Sequence, residues 1–472
     1  MNSLAANFKN FGILSIGAIV LASPLRAAQS VSQYGITWTF SEDRPTGQFA
    51  NGDWWVQLPV TIANITPATV GSSDSSKPGH YGGSMINPTP GETNGLSLGG
   101  SVATAAYDAA KNVGLHLPFP ISKECSLVST VAQPDYAGQQ SFFKEVAVLT
   151  CLTAVPAVGS FRPPFAGSDK TIQPNWNLSS MSYAPFRKLS PPIAANIPDR
   201  RWLEAATVRP LFEYETTFNN TIWKAASPEF PSRGYGRAVA NISAAAGVYL
   251  NLNVADETKK RLLINMCQWG IDVNGLLNAG MRWYPLGGHM IGRKLPLFIA
   301  AKALGDESML KNCNPAHITA FAEDWSHRFI QQSDIDTMRV PSLLEPFTQA
   351  MLGMPEWGPG VWEYQHHTPQ WSSATGTVQD YQHNFGYRFI NGGPNTGEVL
   401  CVSLMGGRVD YGNEAYFQYI IDRYYPRQKM YGGGAVPAYS DNIQNIVVDL
   451  WDRYLFPKNS APLPPTGLRV IR

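Results

Sequence analysis

Charge is scarce in this chain. Asp, Glu, Lys and Arg make up only 15% of its 472 residues, and 36 basic side chains nearly cancel 35 acidic ones. No global field therefore draws the protein to nucleic acid or to an anionic membrane. Long apolar runs are missing after residue 30, so nothing approaches the roughly 20 residues that span a bilayer. The paired-cysteine spacing CxxC is absent, which argues against a cysteine zinc site. GxSxG, Walker A and HExxH are absent too, removing the nucleophile elbow, the phosphate loop and the zincin helix. No repeat recurs at a fixed period. What the chain has instead is 42 Gly, 36 Pro, 13 Trp and 20 Tyr, the composition of a loop-rich globular protein with aromatic surfaces.

The opening MNSLAANFKNFGILSIGAIVLASPLRAAQS reads as a signal peptide over residues 1–28. Lys9 supplies the positive region, Phe11 to Leu21 the apolar run, and Pro24 to Ala28 the breaker and small residues. Cleavage is expected near Ala27 or Ala28. With no cysteine at that site, a lipid anchor is not indicated, and the expected location is secreted or periplasmic. Five cysteines suit such an oxidising compartment. Cys125 and Cys151 flank an expected hairpin, and a disulfide between them is the first pairing to expect. Cys267 with Cys313 is a second, and Cys401 reads as a buried thiol. The alternative is that all five are reduced core residues.

Residues 31–190 read as a β-sandwich. ITWTF (36–40), DWWVQLPVTIANI (53–65) and FFKEVAVLTCLTAV (142–155) are β-branched and aromatic, with Gly/Pro/Asn/Ser clusters between them. Helical spacing shows there only around SVATAAYDAAKNVG. A proline-bearing connector, FRKLSPPIAANIPDRRW, then leads into helical patterns over 200–457. These include GYGRAVANISAAAGVYLNLN, DETKKRLLINMCQWGIDVNGLLNAG, GRKLPLFIAAKALG, VPSLLEPFTQAMLG, TGEVLCVSLMGG, NEAYFQYIIDRYY and DNIQNIVVDLWDRYL. Most are apolar over more than one face, as helices in two stacked layers would be. The expected fold class is α+β, a β-sandwich followed by an all-α domain of α/α-toroid type. A proline-rich tail occupies 458–472.

Four segments of the helical part have unusual chemistry. FPSRGYGRAVAN carries Tyr235, Arg237 and Asn241. GMRWYPLGGHMIGRK carries Arg282, Trp283, Tyr284, His289 and Arg293. EWGPGVWEYQHHTPQW carries Trp362, Glu363 and His366, and QDYQHNFGYRFINGG carries Tyr381, His383, Tyr387 and Arg388. Aromatic faces stack on the C–H-rich faces of sugar rings, and the arginine fork suits a carboxylate. Histidine beside tyrosine offers a base and an acid that work near neutral pH. Together they suit β-elimination on a uronic-acid polysaccharide: a cation neutralises the carboxylate, a base takes the C5 proton, and a tyrosine protonates the departing oxygen. Each also has a structural reading, as a helix cap, a glycine turn or an exposed pair such as His366–His367. Hydrolysis by two carboxylates is the competitor, with Asp272 and Glu363 as candidates. Asp272 stands among apolar helix residues, so it requires a partner or a job. A non-catalytic carbohydrate-binding protein is the third class.

GYGRAVAN, GGHMIGRK and a late His/Tyr/Arg segment, preceded by FANGDWWV and FRPPFAG, give a layout over 31–457. It resembles secreted bacterial polysaccharide-degrading enzymes with α/α-toroid domains. The resemblance implies a working set of Asn, His, Tyr and Arg along a groove, here Asn241, His289, Tyr235, Tyr381, His383 and Arg293. It departs from the lyase arrangement in placing β-sheet before the helices, so roles do not transfer one to one. Arg237, Arg282, Trp283, Tyr284, Trp362, Glu363, His366, Tyr387 and Arg388 are the expected substrate contacts. The expected partner is a polysaccharide. No cofactor or catalytic metal is implied, a structural calcium or zinc ion is left open, and nothing indicates the oligomeric state.

Overall fold

The structure is a computed structural model. It describes residues 26–68, 82–91, 95–96, 107–132, 143–191, 193–213, 236–284, 290–337, 349–357, 387–426 and 442–455. The chain is α+β: strands come first and helices follow. The strands are β1 (Arg26–Gln33), β2 (Ile36–Gln48), β3 (Trp54–Gln57), β4 (Val60–Thr66), β5 (Gly82–Ile86), β6 (Phe119–Ile121), β7 (Cys125–Ala132) and β8 (Phe143–Leu152). Among the described residues they form one mixed sheet, ordered β5-β7-β8-β3-β2-β4-β6 with β1 on β2, in place of the two facing sheets expected. The sheet is curled into a half-barrel. Among its described strand pairs, β3 and β8 run parallel and the others antiparallel.

The curl explains the weak alternation in these strands. Trp38 and Phe40 of β2, Ile62 of β4, Leu127 of β7 and Ala147 and Leu149 of β8 gather inside it in one apolar cluster. Val128, Val146 and Val148 face the other way, into the core of the helical part. A strand with apolar neighbours on both faces has no polar phase to display. Pro59 separates β3 from β4, which the sequence pattern had read as one run. SVATAAYDAAKNVG gives short 3-10 turns at 109–111 and 113–115 in its described portion.

The helices are α1 (Arg200–Thr207), α2 (Gly236–Leu250), α3 (Asp256–Asn278), α4 (Lys294–Leu304), α5 (Glu307–Asn312), α6 (Ala322–Trp325), α7 (Gln332–Thr337), α8 (Tyr387–Leu404), α9 (Arg408–Tyr411), α10 (Glu414–Gln418) and α11 (Asn442–Leu450). Two short strands, β9 (His327–Phe329) and β10 (Pro355–Trp357), form a separate antiparallel pair. Among the described residues, no helix is long and apolar enough to cross a membrane. Asp199 caps α1 by accepting from the Arg201 amide at 2.9 Å. α3 packs along α4, and α2 along α8.

One apolar core runs from the β7–β8 face through α2, α3, α4 and α8, so the two parts share an interior across the expected connector. A buried ion network crosses the same boundary. Arg162 donates through Nε to Asp53 Oδ2 at 2.6 Å. Its Nη1 and Nη2 donate to the two oxygens of Asp272 at 2.9 and 2.6 Å. Gln33 and Asn51 complete Asp53 at 2.6 and 2.7 Å, and Gln268 exchanges hydrogen bonds with the Arg162 backbone at 3.1 Å each. Burial raises the Asp272 carboxyl above its ordinary range while the Arg162 charge pulls it back. Burial also disfavours the Arg162 charge, but Asp272 and Asp53 outweigh it and hold the guanidinium above its usual value. The partner that the sequence required for Asp272 is therefore Arg162 of FRPPFAG, and both side chains are sealed from solvent.

Candidate functional site

The segment 280–294 is anchored at both described ends. Gly280, at φ +99°, ends α3. Arg282 then folds back, and its Nη1 donates to the carbonyls of Leu277 at 3.2 Å and Met281 at 2.6 Å. A cation on the carbonyl end of a helix is favourable there. Trp283 is fully buried; it stacks on Phe321 at 5.0 Å and donates through Nε1 to Glu213 Oε2 at 2.7 Å. Arg293, on the far side, donates through Nε to Glu213 Oε1 at 2.8 Å, pairs with it again through Nη2, and donates through Nη1 to the Ile291 carbonyl at 2.6 Å. One buried carboxylate thus holds both ends.

Gly292 between them has φ +91°, and an added Cβ would stand 2.4 Å from the Cα of Ala240 on α2. Only glycine tolerates both the left-handed backbone and that contact. Its amide donates to Glu323 Oε1 at 2.6 Å, and Ser243 donates to its carbonyl at 3.2 Å.

Beneath these anchors lies a buried polar layer. Lys294 pairs with Asp324, both side chains fully buried, and its ammonium lies 4.1 Å from the centre of the Tyr411 ring. Tyr411 donates to Glu398 of α8. Glu323 Oε2, Glu398 Oε2 and the Tyr416 hydroxyl have no hydrogen bond of good geometry among the described residues, although Tyr416 still interacts with Glu398. Burial first, then the Glu323 charge, raises the Glu398 carboxyl well above its ordinary range. Glu323 and Asp324 are likewise raised by burial, against the pull of the Gly292 amide on the first and of Lys294 on the second. His327 borders this layer, with Nδ1 3.1 Å from Ser326 Oγ and its ring against Trp357, Tyr416 and Tyr419. Burial in such a layer favours the protonated form of a carboxyl, which solvent around a surface carboxylate does not.

At the surface, Tyr284 lies 4.5 Å from Trp325 with ring planes 6° apart, and it remains 48% exposed. Trp325 directly follows Asp324, so a flat aromatic platform adjoins the acidic layer.

The residues expected at a site separate accordingly. Arg293 and Trp283 do meet, but around Glu213 in the interior. This corrects their expected roles, because a guanidinium and an indole sealed on a carboxylate present nothing to a sugar. Arg282 serves the end of α3, and Tyr284 alone of that segment's described members presents a ring to solvent. Arg237 and Asn241 stand half-buried one turn apart on α2, the helix pressed against Gly292. Tyr387 and Arg388 open α8. His289, Tyr235, Tyr381, His383, Trp362, Glu363 and His366 lie outside the described residues. Asp272 is fully engaged by Arg162. Sequence reasoning missed Glu213, Glu323, Asp324 and Glu398. The argument applied to Asp272, an acid within an apolar run, would have found Glu398 in GEVLCVSL.

All five cysteines are buried free thiols, Cys401 as expected, and neither expected disulfide is formed in the structure. Among the described residues, no group of three or more His, Cys, Asp or Glu could hold a metal ion. Comparison with protein-family models, curated proteins and solved structures finds no match to the chain.

Proposed function

We propose that the protein is an exported polysaccharide lyase that cleaves an acidic glycan by β-elimination, with its helices arranged as an α/α toroid. The observation that carries this reading is the exposed Tyr284–Trp325 platform, set directly beside a buried layer of carboxyls and phenols. A pyranose ring stacks on such a surface through its apolar face, as aromatic rings stack on each other. In this reading His289 takes the C5 proton with Tyr381 or His383 as its counterpart. The C4–oxygen bond breaks as a C4–C5 double bond forms, and the leaving oxygen receives a proton. The uronate carboxylate falls to Arg388, because Arg293 is held by Glu213. The acidic layer supports the reading as the base on which the 280–294 segment is seated. Toroid packing is supported by α2 lying against α8, far along the chain, while α3 lies against α4. Cleavage near Ala28 would trim the start of β1 and leave its pairing from Ser30 to Gln33 intact.

The test is incubation with alginate, glucuronan, ulvan and glycosaminoglycans. A lyase generates the ultraviolet absorbance of an unsaturated uronide. New reducing ends without that absorbance would replace the reading with hydrolysis. Retention in a polysaccharide gel without product would replace it with a binding module.

A further inference from the structure

The ladder between β7 and β8 sets Cys125 directly opposite Cys151. Opposed residues of an antiparallel pair have Cα atoms about 4.5 or 5.5 Å apart, depending on the kind of pair. Both separations fall within the roughly 4.4–6.8 Å that a disulfide spans. The two side chains share one face and belong to the same apolar cluster inside the curl. Each thiol is the neighbouring group that acts most strongly on the other. They also lie at the end of the strand pair remote from the segment joining β7 to β8, where nothing covalent holds the strands together.

We propose that Cys125 and Cys151 are joined by a disulfide when the protein folds in an oxidising compartment, closing the open end of the β7–β8 pair. The structure shows the dithiol form of this pair. The other cysteines are set differently. Cys313 donates to the Met309 carbonyl at 3.4 Å, and the Cys401 thiol faces Met405 Sδ at 3.8 Å. Cys267 lies buried within α3. Burial pushes all three thiols up and away from the reactive thiolate. Cys125 is held below its usual value, by the Cys151 thiol first and with help from the Lys170 ammonium, against burial.

The thiolate of either cysteine displaces one thiolate from an oxidised disulfide donor such as glutathione disulfide, giving a mixed disulfide. The other cysteine then attacks that protein sulfur and expels the second thiol. Two protein thiols and one donor disulfide become one protein disulfide and two donor thiols, with both protons carried away on the leaving sulfurs. Both cysteines are almost fully buried, so the exchange belongs to folding, before the sheet closes over them.

The full chain refolded from denaturant with glutathione disulfide, then denatured and alkylated, tests this. The oxidised protein should carry alkyl groups on Cys267, Cys313 and Cys401 only, and a digest should yield one peptide pair lighter by two hydrogens joining 125 to 151. It should also unfold at higher urea than the same protein refolded with reductant, and Cys125→Ala/Cys151→Ala should lose that difference while still folding. Alkylation of all five cysteines, or a link between Cys267 and Cys313, would overturn the proposal. Neither outcome depends on whether the protein acts on a polysaccharide.

Discussion

Replacing Arg162 by methionine would remove the one cation shared by Asp53 and Asp272 and leave two carboxylates no more than 1% exposed. Breaking a buried ion pair from one side costs about 3–5 kcal/mol. Set against a typical total stability of about 5–15 kcal/mol, that loss is large. The sign of the pH dependence follows from Asp272. Its carboxyl is already raised by burial and restrained by Arg162, so the variant frees it to rise further. A carboxyl whose folded pKa exceeds its unfolded value, about 3.9 for Asp, costs stability as pH climbs from the unfolded pKa to the folded one, and no more above that. The gap between variant and wild type should therefore be widest near neutral pH. It should narrow on acidification by up to about 1.4 kcal/mol per pH unit within that window. Urea unfolding followed by fluorescence of the 13 tryptophans measures it. A neutral-pH loss under about 1 kcal/mol, or a gap unchanged on acidification, would refute the claim that this network fastens the sheet to the helices.

Gly292→Ala meets both a φ of +91° and a Cβ position 2.4 Å from the Ala240 backbone, so it should cost at least about 1–3 kcal/mol and speed amide exchange in α2. Glu398→Gln removes a carboxyl whose folded pKa lies well above the ordinary range. The wild type should lose stability as pH rises above the usual carboxylate range, and the variant should lose less, as urea midpoints across pH would show. Tyr284→Ala, half-exposed, should change stability by less than about 1.5 kcal/mol. It should nonetheless weaken retention of an acidic polysaccharide in an affinity gel, and unchanged retention would remove the platform from the site.

Several features of the fold follow from sequence patterns that need no distant partner. The spacing of Leu263, Cys267 and Ile271 is helical, and α3 forms there. The strand at ITWTF, the helix over KLPLFIAAKAL and the change from strands to helices near residue 200 are likewise local in origin. NGGPNTG, rich in glycine and proline, nonetheless runs inside α8, where Thr396 donates back to the Gly392 carbonyl at 2.7 Å and Gly392 leaves room for the Tyr424 ring. Packing against α2 and against residues 419–424 overrides the local preference of Gly and Pro.

The same distinction holds at the site. Sequence alone required a partner for Asp272 and marked 280–294 as a candidate site. Only the tertiary structure decided that the partner is Arg162, 110 residues away, and that Arg293 and Trp283 converge on Glu213. The physical reason is that burial makes an unpaired charge costly wherever it stands, whereas the choice of counter-charge depends on which surfaces the folded core brings face to face.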